Sequence, residues 1–294
     1  MKIAFTADVH LNPDYPERAV ALEDILKQVH EDEKIEHLII AGDLFDKDGE
    51  IDAYESFRTA CRKYPAVQIY VIPGNHDPVA SLSDQNEPNL KKVIEPEVIT
   101  LGGVDFLFLP YFKDKSMGEV LLREMHQIGE NPWILIGHGD YISGNHEPNP
   151  LEGGRIYMPL KRGDLEATNP KRVFLGHIHK PTPLDDPIDG KVIYPGSPQG
   201  LHISETGPRR FLVYDTDTDV VDYCCVNVPK IFFDEEFFVI PSENEESILL
   251  QELQDRLDAP VLSKDELKQK GVFRFTIRGF TRNKDTLKTF FDQR

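Results

Sequence analysis

Residues 3–10 read Ile-Ala-Phe-Thr-Ala-Asp-Val-His, an apolar run of strand character that stops on two side chains able to ligate a cation, Asp8 and His10. The pattern then recurs. LIIA (38–41) runs into Gly42-Asp43-Leu44-Phe45-Asp46, and VQIYVI (67–72) into Gly74-Asn75-His76-Asp77. WILI (133–136) is followed by Gly137-His138, and RVFL (172–175) by Gly176-His177-Ile178-His179. Each run is β-branched or otherwise apolar, as a buried strand requires. Each ends in a glycine-containing turn or directly on oxygen and nitrogen donors.

The intervening segments supply helices. Residues 16–30 place Ala19, Leu22, Ile25, Leu26 and Val29 at helical spacing behind Pro16, and residues 52–63 and 117–128 carry weaker versions. Strands at 3–7, 38–41, 67–72, 104–109 and 133–136 alternating with these helices predict an α/β layered core. After Gly163 the texture becomes strand-rich, with candidates at 172–176, 191–196, 209–215 and 220–228. These predict a second sheet packed on the first.

A domain boundary is expected near Val228-Pro229-Lys230, giving domains 1–229 and 230–294. In the tail, FFVI (237–240) reads as a strand and Ser242-Glu243-Asn244-Glu245 as a capping box opening a helix with Leu249, Leu253 and Leu257 on one face. VFRFTIRGF (272–280) alternates as a half-exposed strand does, and Leu287, Phe290 and Phe291 suggest a final helix. The tail is therefore expected to be a small α+β module. Residues 234–258 are strongly acidic and residues 264–294 basic, so Arg274 and Arg278 are candidates for contact with a phosphate backbone, against the alternative of solvated charged faces.

Composition narrows the setting. The net charge of −18 argues against strong nonspecific affinity for nucleic acid, although it does not describe one local patch. Cys61, Cys224 and Cys225 form no C-x-x-C pattern and suggest free thiols in a reducing compartment. No apolar run approaches the length of a membrane span, and no leader precedes the first strand; a soluble cytoplasmic protein without membrane association is expected.

Donor chemistry separates the motifs from chance. Asp8 and His10, like His177 and His179, are spaced i, i+2 and would share a side if they lay in strands. Asp43 and Asn75 follow apolar strands directly, at the carboxyl ends where α/β sheets collect ligands. Seven donors (Asp8, His10, Asp43, Asn75, His138, His177, His179), none a thiolate, exceed one ion's needs and suit two divalent cations. Mn²⁺ is preferred, with Fe or Zn²⁺ possible. Two such ions about 3.5–4 Å apart polarise a phosphoryl group and activate water. His30, His37, His126, His146 and His202 lack such partners and are read as structural or solvent-facing.

D-x-H, G-D-x-x-D, G-N-H-D, G-H and G-H-x-H, all intact here, are the motifs through which the chain resembles the calcineurin-like metallophosphoesterase superfamily over residues 1–215. The resemblance implies a two-sheet β-sandwich flanked by helices. It places one metal on Asp8, His10, Asp43 and His179, and the other on Asp43, Asn75, His138 and His177. His76 would be the non-ligand histidine that protonates the leaving oxygen, oriented by Asp46. Within the superfamily, GDLFD, GNHD, GHIHKP (176–181) and YPGSP (194–198) are most similar to SbcD-type DNA-repair exonucleases. That implies a Mn²⁺-dependent DNA exo- or endonuclease, a capping domain after residue 230, and an SbcC-type ATPase partner. A small nucleotide or cyclic-nucleotide diester remains the alternative substrate, with the tail as lid or homodimer contact, and a non-catalytic scaffold is the reading from another class. Lys47 stands where protein phosphatases carry arginine after G-D-x-x-D, which disfavours a phosphoprotein substrate.

Overall fold

The computed structural model describes residues 1–32, 34–47, 51–77, 82, 86–144, 154–257, 262–282, 284, 285, 288 and 289. The chain divides into two compact units, Met1–Gln199 with Arg209–Val228, and Gly200–Pro208 with Pro229–Arg294.

The first unit holds two sheets. In one, β1 (Lys2–Thr6), β2 (Ile35–Ala41), β3 (Gln68–Ile72) and β4 (Leu90–Lys92) run parallel. In the other, β5 (Glu97–Leu101) is antiparallel to β6 (Val104–Leu109), which is parallel to β7 (Trp133–His138). A parallel pair of β8 (Tyr141–Ile142) and β9 (Leu160–Lys161) stands apart from both. β10 (Arg172–Gly176) and β11 (Val192–Ile193) join the second sheet, whereas β12 (Arg210–Asp215) and β13 (Val220–Cys225) return antiparallel to the first. The orders are β13-β12-β1-β2-β3-β4 and β11-β10-β7-β6-β5. The later strands therefore do not build a sheet of their own, as the change of texture after Gly163 suggests; they are shared between both. Periodicity records that a segment is a strand, but its neighbour is chosen by long-range packing.

Period-two alternation builds the layers. Ile3, Phe5, Ile39, Tyr70, Ile72, Leu212 and Tyr214 of the first sheet meet Phe106, Phe108, Ile134, Ile136, Phe174 and Ile193 of the second in one buried core. The rings of Phe5 and Phe174 stack with centroids 4.2 Å apart. The intervening residues face outward and are covered as well. α1 (Pro16–Glu31) packs on β2 and on α2 (Ile51–Lys63), while α3 (Met117–Glu124) and α4 (Arg162–Thr168) cover Leu107, Leu135, Val173 and Leu175 of the second sheet. Burial on both faces is why the central strands lack polar alternation.

In the second unit, β14 (Ile231–Val239) pairs in parallel with β15 (Gly271–Gly279). Parallel neighbours need a crossover, which α5 (Glu245–Leu257) and α6 (Lys264–Lys270) provide. Phe237, Val239 and Leu249 form its small buried cluster, with Leu253 against it. α6 is unforeseen from hydrophobic periodicity; its start is marked by Ser263, whose hydroxyl accepts the Glu266 N–H while Glu266 bonds back to the Ser263 N–H at 3.0 Å. Leu287, Phe290, Phe291 and His146 lie outside the described residues, as does the side chain of Leu257.

Replacing Phe174 by alanine should cost about 3–5 kcal/mol, the usual loss for a large buried ring, read by urea unfolding of the whole chain. A loss below about 1 kcal/mol would mean the two sheets do not pack through this ring.

Candidate metal centre

The five motifs converge beyond the strand ends, on loops zipped together by the main chain. The Asp8 N–H donates to the Gly42 carbonyl (3.1 Å), His10 N–H to Asp43 (2.9 Å) and Leu11 N–H to Leu44 (2.8 Å). The pairing of β1 with β2 thus continues past both strands. Asp8, His10 and Asp43 have φ of 54°, 50° and 51°, and His177 has φ 98°. These left-handed conformations are uncommon for non-glycine residues and concentrate at functional sites. Strand alternation is therefore not what brings Asp8 and His10, or His177 and His179, to one side: β1 ends at Thr6 and β10 at Gly176. The turned backbone does it.

All seven candidate ligands meet there. Asp8, His10 and His179 place donor atoms within 4.8 Å of one another, as do His10, Asp43 and His76, and Asp43, His138 and His177. Asn75 Oδ1 lies 2.9 Å from His138 Nε2 and 3.0 Å from His177 Nδ1. Asp43 Oδ2 stands between the groups, 3.6 Å from His10 Nε2 and 3.3 Å from His138 Nε2. Its Oδ1 accepts the His76 N–H at 2.8 Å.

The donor set fits divalent cations. Asp8 Oδ2 and His10 Nε2 are buried without a hydrogen-bond partner. Buried polar atoms are normally satisfied, so lone pairs left bare amid nitrogen and oxygen donors, with no sulfur, suit such an ion. The electrostatics of the protein groups agree. Burial raises the Asp8 carboxyl pKa, against the pull of His179 and His138. Burial acts the same way on Asp43, but His138, His10 and His76 outweigh it and hold that carboxyl well below its usual range. Burial opposes a proton on His138, yet Asp43 and then Asp8 raise it to about 9. Burial and the neighbouring His138 push His177 down to about 3.

Asp46 meets His76 through its main chain: His76 Nδ1 is 3.1 Å from the Asp46 carbonyl oxygen. Its carboxylate turns elsewhere, to His10 Nδ1 (3.3 Å), Arg18 (3.4 Å) and the Asn12 amide (2.8 Å). The expected orienting contact is thus made by the backbone and not by the acid.

Several contributors carry no motif signal of their own. Asp77 is buried and accepts the N–H groups of Leu44 (2.8 Å), Phe45 (2.7 Å) and Gly74 (3.2 Å), tying the two central loops together. Burial and then Asp43 push its carboxyl up to about 7. Arg18 donates to the His10 carbonyl (2.8 Å), and Arg209 to Ser197 Oγ (2.7 Å) and the His179 carbonyl (3.3 Å). Asp77 closes the GNHD motif and reads as turn chemistry; the arginines lie outside every motif.

Arg274 and Arg278, the candidate phosphate contacts, occur on β15 with carboxylate partners on β14. Arg274 Nε bonds Asp234 at 2.7 Å, and Arg278 pairs with Glu236. This strand pair is charge-balanced and does not present a bare basic strip.

Residues 1–181 match the calcineurin-like phosphoesterase family. The chain belongs to that family, whose members are metal-dependent hydrolases with a dinuclear centre. Similar curated proteins include the SbcD subunit of the SbcCD nuclease from Rhodobacter capsulatus, 27% identical over 290 residues, covering 78% of this chain and 68% of that one. The SbcD subunit from Staphylococcus epidermidis is 30% identical over 257 residues, with 71% and 64% covered. The uncharacterized metallophosphoesterase YhaO of Bacillus subtilis is 26% identical over 207 residues, with 64% and 47% covered. The chain thus spans about two thirds of the first two relatives and about half of the third. Among solved structures, TT1561 of Thermus thermophilus shares the fold, with a TM-score of 0.53 at 14% identity over 77% of this chain and 99% of that one.

Gly42 has φ +88°, and a Cβ there would lie 2.2 Å from His138 Nδ1. Gly42→Ala should therefore displace His138 and abolish tight Mn²⁺ binding by isothermal titration; unchanged affinity would refute this packing. A pH effect is also expected in chelator. The folded His138 pKa is raised above its ordinary 6.5, so its stabilising contribution is complete below pH 6.5 and lost as pH rises through about 9. Asp77 adds a loss of the same sign between pH 3.8 and about 7. The unfolding midpoint of chelated protein should fall above neutrality, and His138→Asn should flatten that slope.

Proposed function

We propose that the chain is a two-metal phosphodiesterase that cuts DNA, with Mn²⁺ as the preferred ion. The observation that carries this is Asp43, whose carboxylate lies between two groups of donors while also accepting the His76 N–H. Asp8, His10, Asp43 and His179 would hold one ion; Asp43, Asn75, His138 and His177 would hold the other. Bound there, two divalent cations polarise a phosphoryl group and lower the pKa of water.

The chain's own residues do the rest. His76 donates the proton to the leaving oxygen. The Asp46 carbonyl accepts from Nδ1, which fixes that nitrogen as a donor and leaves Nε2 for the transferable proton. Asp43 beside it favours the charged imidazolium. Asp46, through His10, and Arg18, through the His10 carbonyl, keep the first loop in place.

A DNA substrate is supported by the two relatives named as nuclease subunits. Those names also suggest a partner subunit, of the SbcC type, and a role in DNA repair or processing. The second reading, a small nucleotide diester, is favoured by the net charge of −18 and by the carboxylate-paired arginines of β15. Among the described residues no helix is long and apolar enough to cross a membrane.

The test is a Mn²⁺-supplemented panel of linear duplex DNA, circular single strands and small phosphodiesters. DNA cleavage lost by about 10²–10⁴-fold in His76→Ala, with metal affinity retained, is the expected result. Asp43→Ala should lose the metals themselves. Rapid turnover of the small diesters alone would replace the DNA reading with the second one.

A further inference from the structure

Asp140 follows His138 by two residues and belongs to none of the five motifs, yet it is fully buried at the metal centre. It sits on the opposite side of the His177 ring from the other donors. His177 Nδ1 faces the cluster, 3.0 Å from Asn75 Oδ1, whereas His177 Nε2 lies 3.6 Å from Asp140 Oδ2. The two ring nitrogens thus diverge, one toward the cation donors and the other toward a carboxylate.

The carboxylate is itself fixed. Asp140 Oδ2 accepts the Tyr157 N–H at 2.6 Å, Asp140 N–H donates to the Tyr157 carbonyl at 2.8 Å, and Leu160 N–H donates to the Asp140 carbonyl at 2.9 Å. These bonds fasten Asp140 to the chain that leads into β9. The Tyr157 ring packs on His177 with centroids 4.9 Å apart, limiting how far the imidazole can swing. The His177 main chain is held as well, its N–H donating to Asp8 Oδ1 at 2.8 Å.

We propose that Asp140 is the positioning residue for His177, drawing the ring proton to Nε2 so that the Nδ1 lone pair points at the cation shared with Asp43, Asn75 and His138. The separation of 3.6 Å exceeds a hydrogen bond, and a small rotation of the imidazole closes it. A ligating histidine that donates its other N–H to a carboxylate gains basicity and loses orientational freedom, and removing such a partner costs about 10–100-fold in metal affinity. Asp140 touches neither substrate nor cation in this scheme; it acts through His177. The proposal rests on the metal-centre reading above.

The experiment compares the full-length chain with Asp140→Asn, which keeps an acceptor for the Tyr157 N–H, and with Asp189→Asn as control. Asp189 is a neighbouring carboxylate, bound to the Tyr141 hydroxyl at 2.6 Å. Mn²⁺ titration by calorimetry should show one binding event of Asp140→Asn weakened by about 10–100-fold and the other preserved, with Asp189→Asn unchanged. Imidazole ¹⁵N spectra of the native protein, with His177→Gln for assignment, should show His177 as the Nε2–H tautomer. This readout needs no Asp140 variant to fold, and a merely structural residue would not set it. A native His177 in the Nδ1–H form, or an Asp140→Asn protein that binds both ions as tightly as native, would overturn the proposal. Neither readout depends on turnover, so a failure to cleave any diester bears on the proposed function alone.

Discussion

The centre depends on one carboxylate, Asp43, held where two loops meet. Its main-chain carbonyl accepts from His10, its Oδ1 accepts from His76, and its Oδ2 faces His10 and His138 from opposite groups of donors. Burying an anion is costly unless it is paired. Here the surrounding histidines keep it charged within the protein, and cations would meet the same demand. Each other ligand is placed with respect to this oxygen pair, so the loops after β1, β2, β3, β7 and β10 must all end within a few ångströms of it.

That requirement explains much of the local backbone. Asp8, His10, Asp43 and His177 take left-handed φ values that cost energy for residues with a Cβ. The surrounding fold over-determines them: Asp77 grips three peptide N–H groups of the two central loops, and Arg18 and Arg209 grip the carbonyls of His10 and His179. Gly176 is needed for the same reason as Gly42, since a Cβ there would lie 2.0 Å from the Ala41 carbonyl oxygen. The glycines flanking the ligands are clearances for His138 and the crossing backbone as much as turn-formers.

How legible all this was in the sequence varied with range. Strands buried on both faces announce themselves as apolar runs, and the residues after them as donors; β1, β2, β3, β7 and β10 and the seven ligands fall into that class. Sheet membership was not legible, because β12 returns to β1 across more than two hundred residues and only the packed core specifies it. Nor was the cause of the ligands' convergence: the i, i+2 spacing suggested strand alternation, whereas the backbone turns at Asp8 and His177. Asp77 and Asp140 look like loop acids until their partners are known. Arg274 and Arg278 looked available for phosphate, since a cross-strand carboxylate such as Asp234 is distant in sequence.

The claim that everything else needs is a cation pair straddling Asp43. It is tested most directly by anomalous diffraction from crystals soaked in Mn²⁺. Two peaks about 3.5–4 Å apart, one beside His10 and His179 and the other beside His138 and His177, with Asp43 between them, are the predicted result. A single peak, or ions bound away from Asp43, would contradict it.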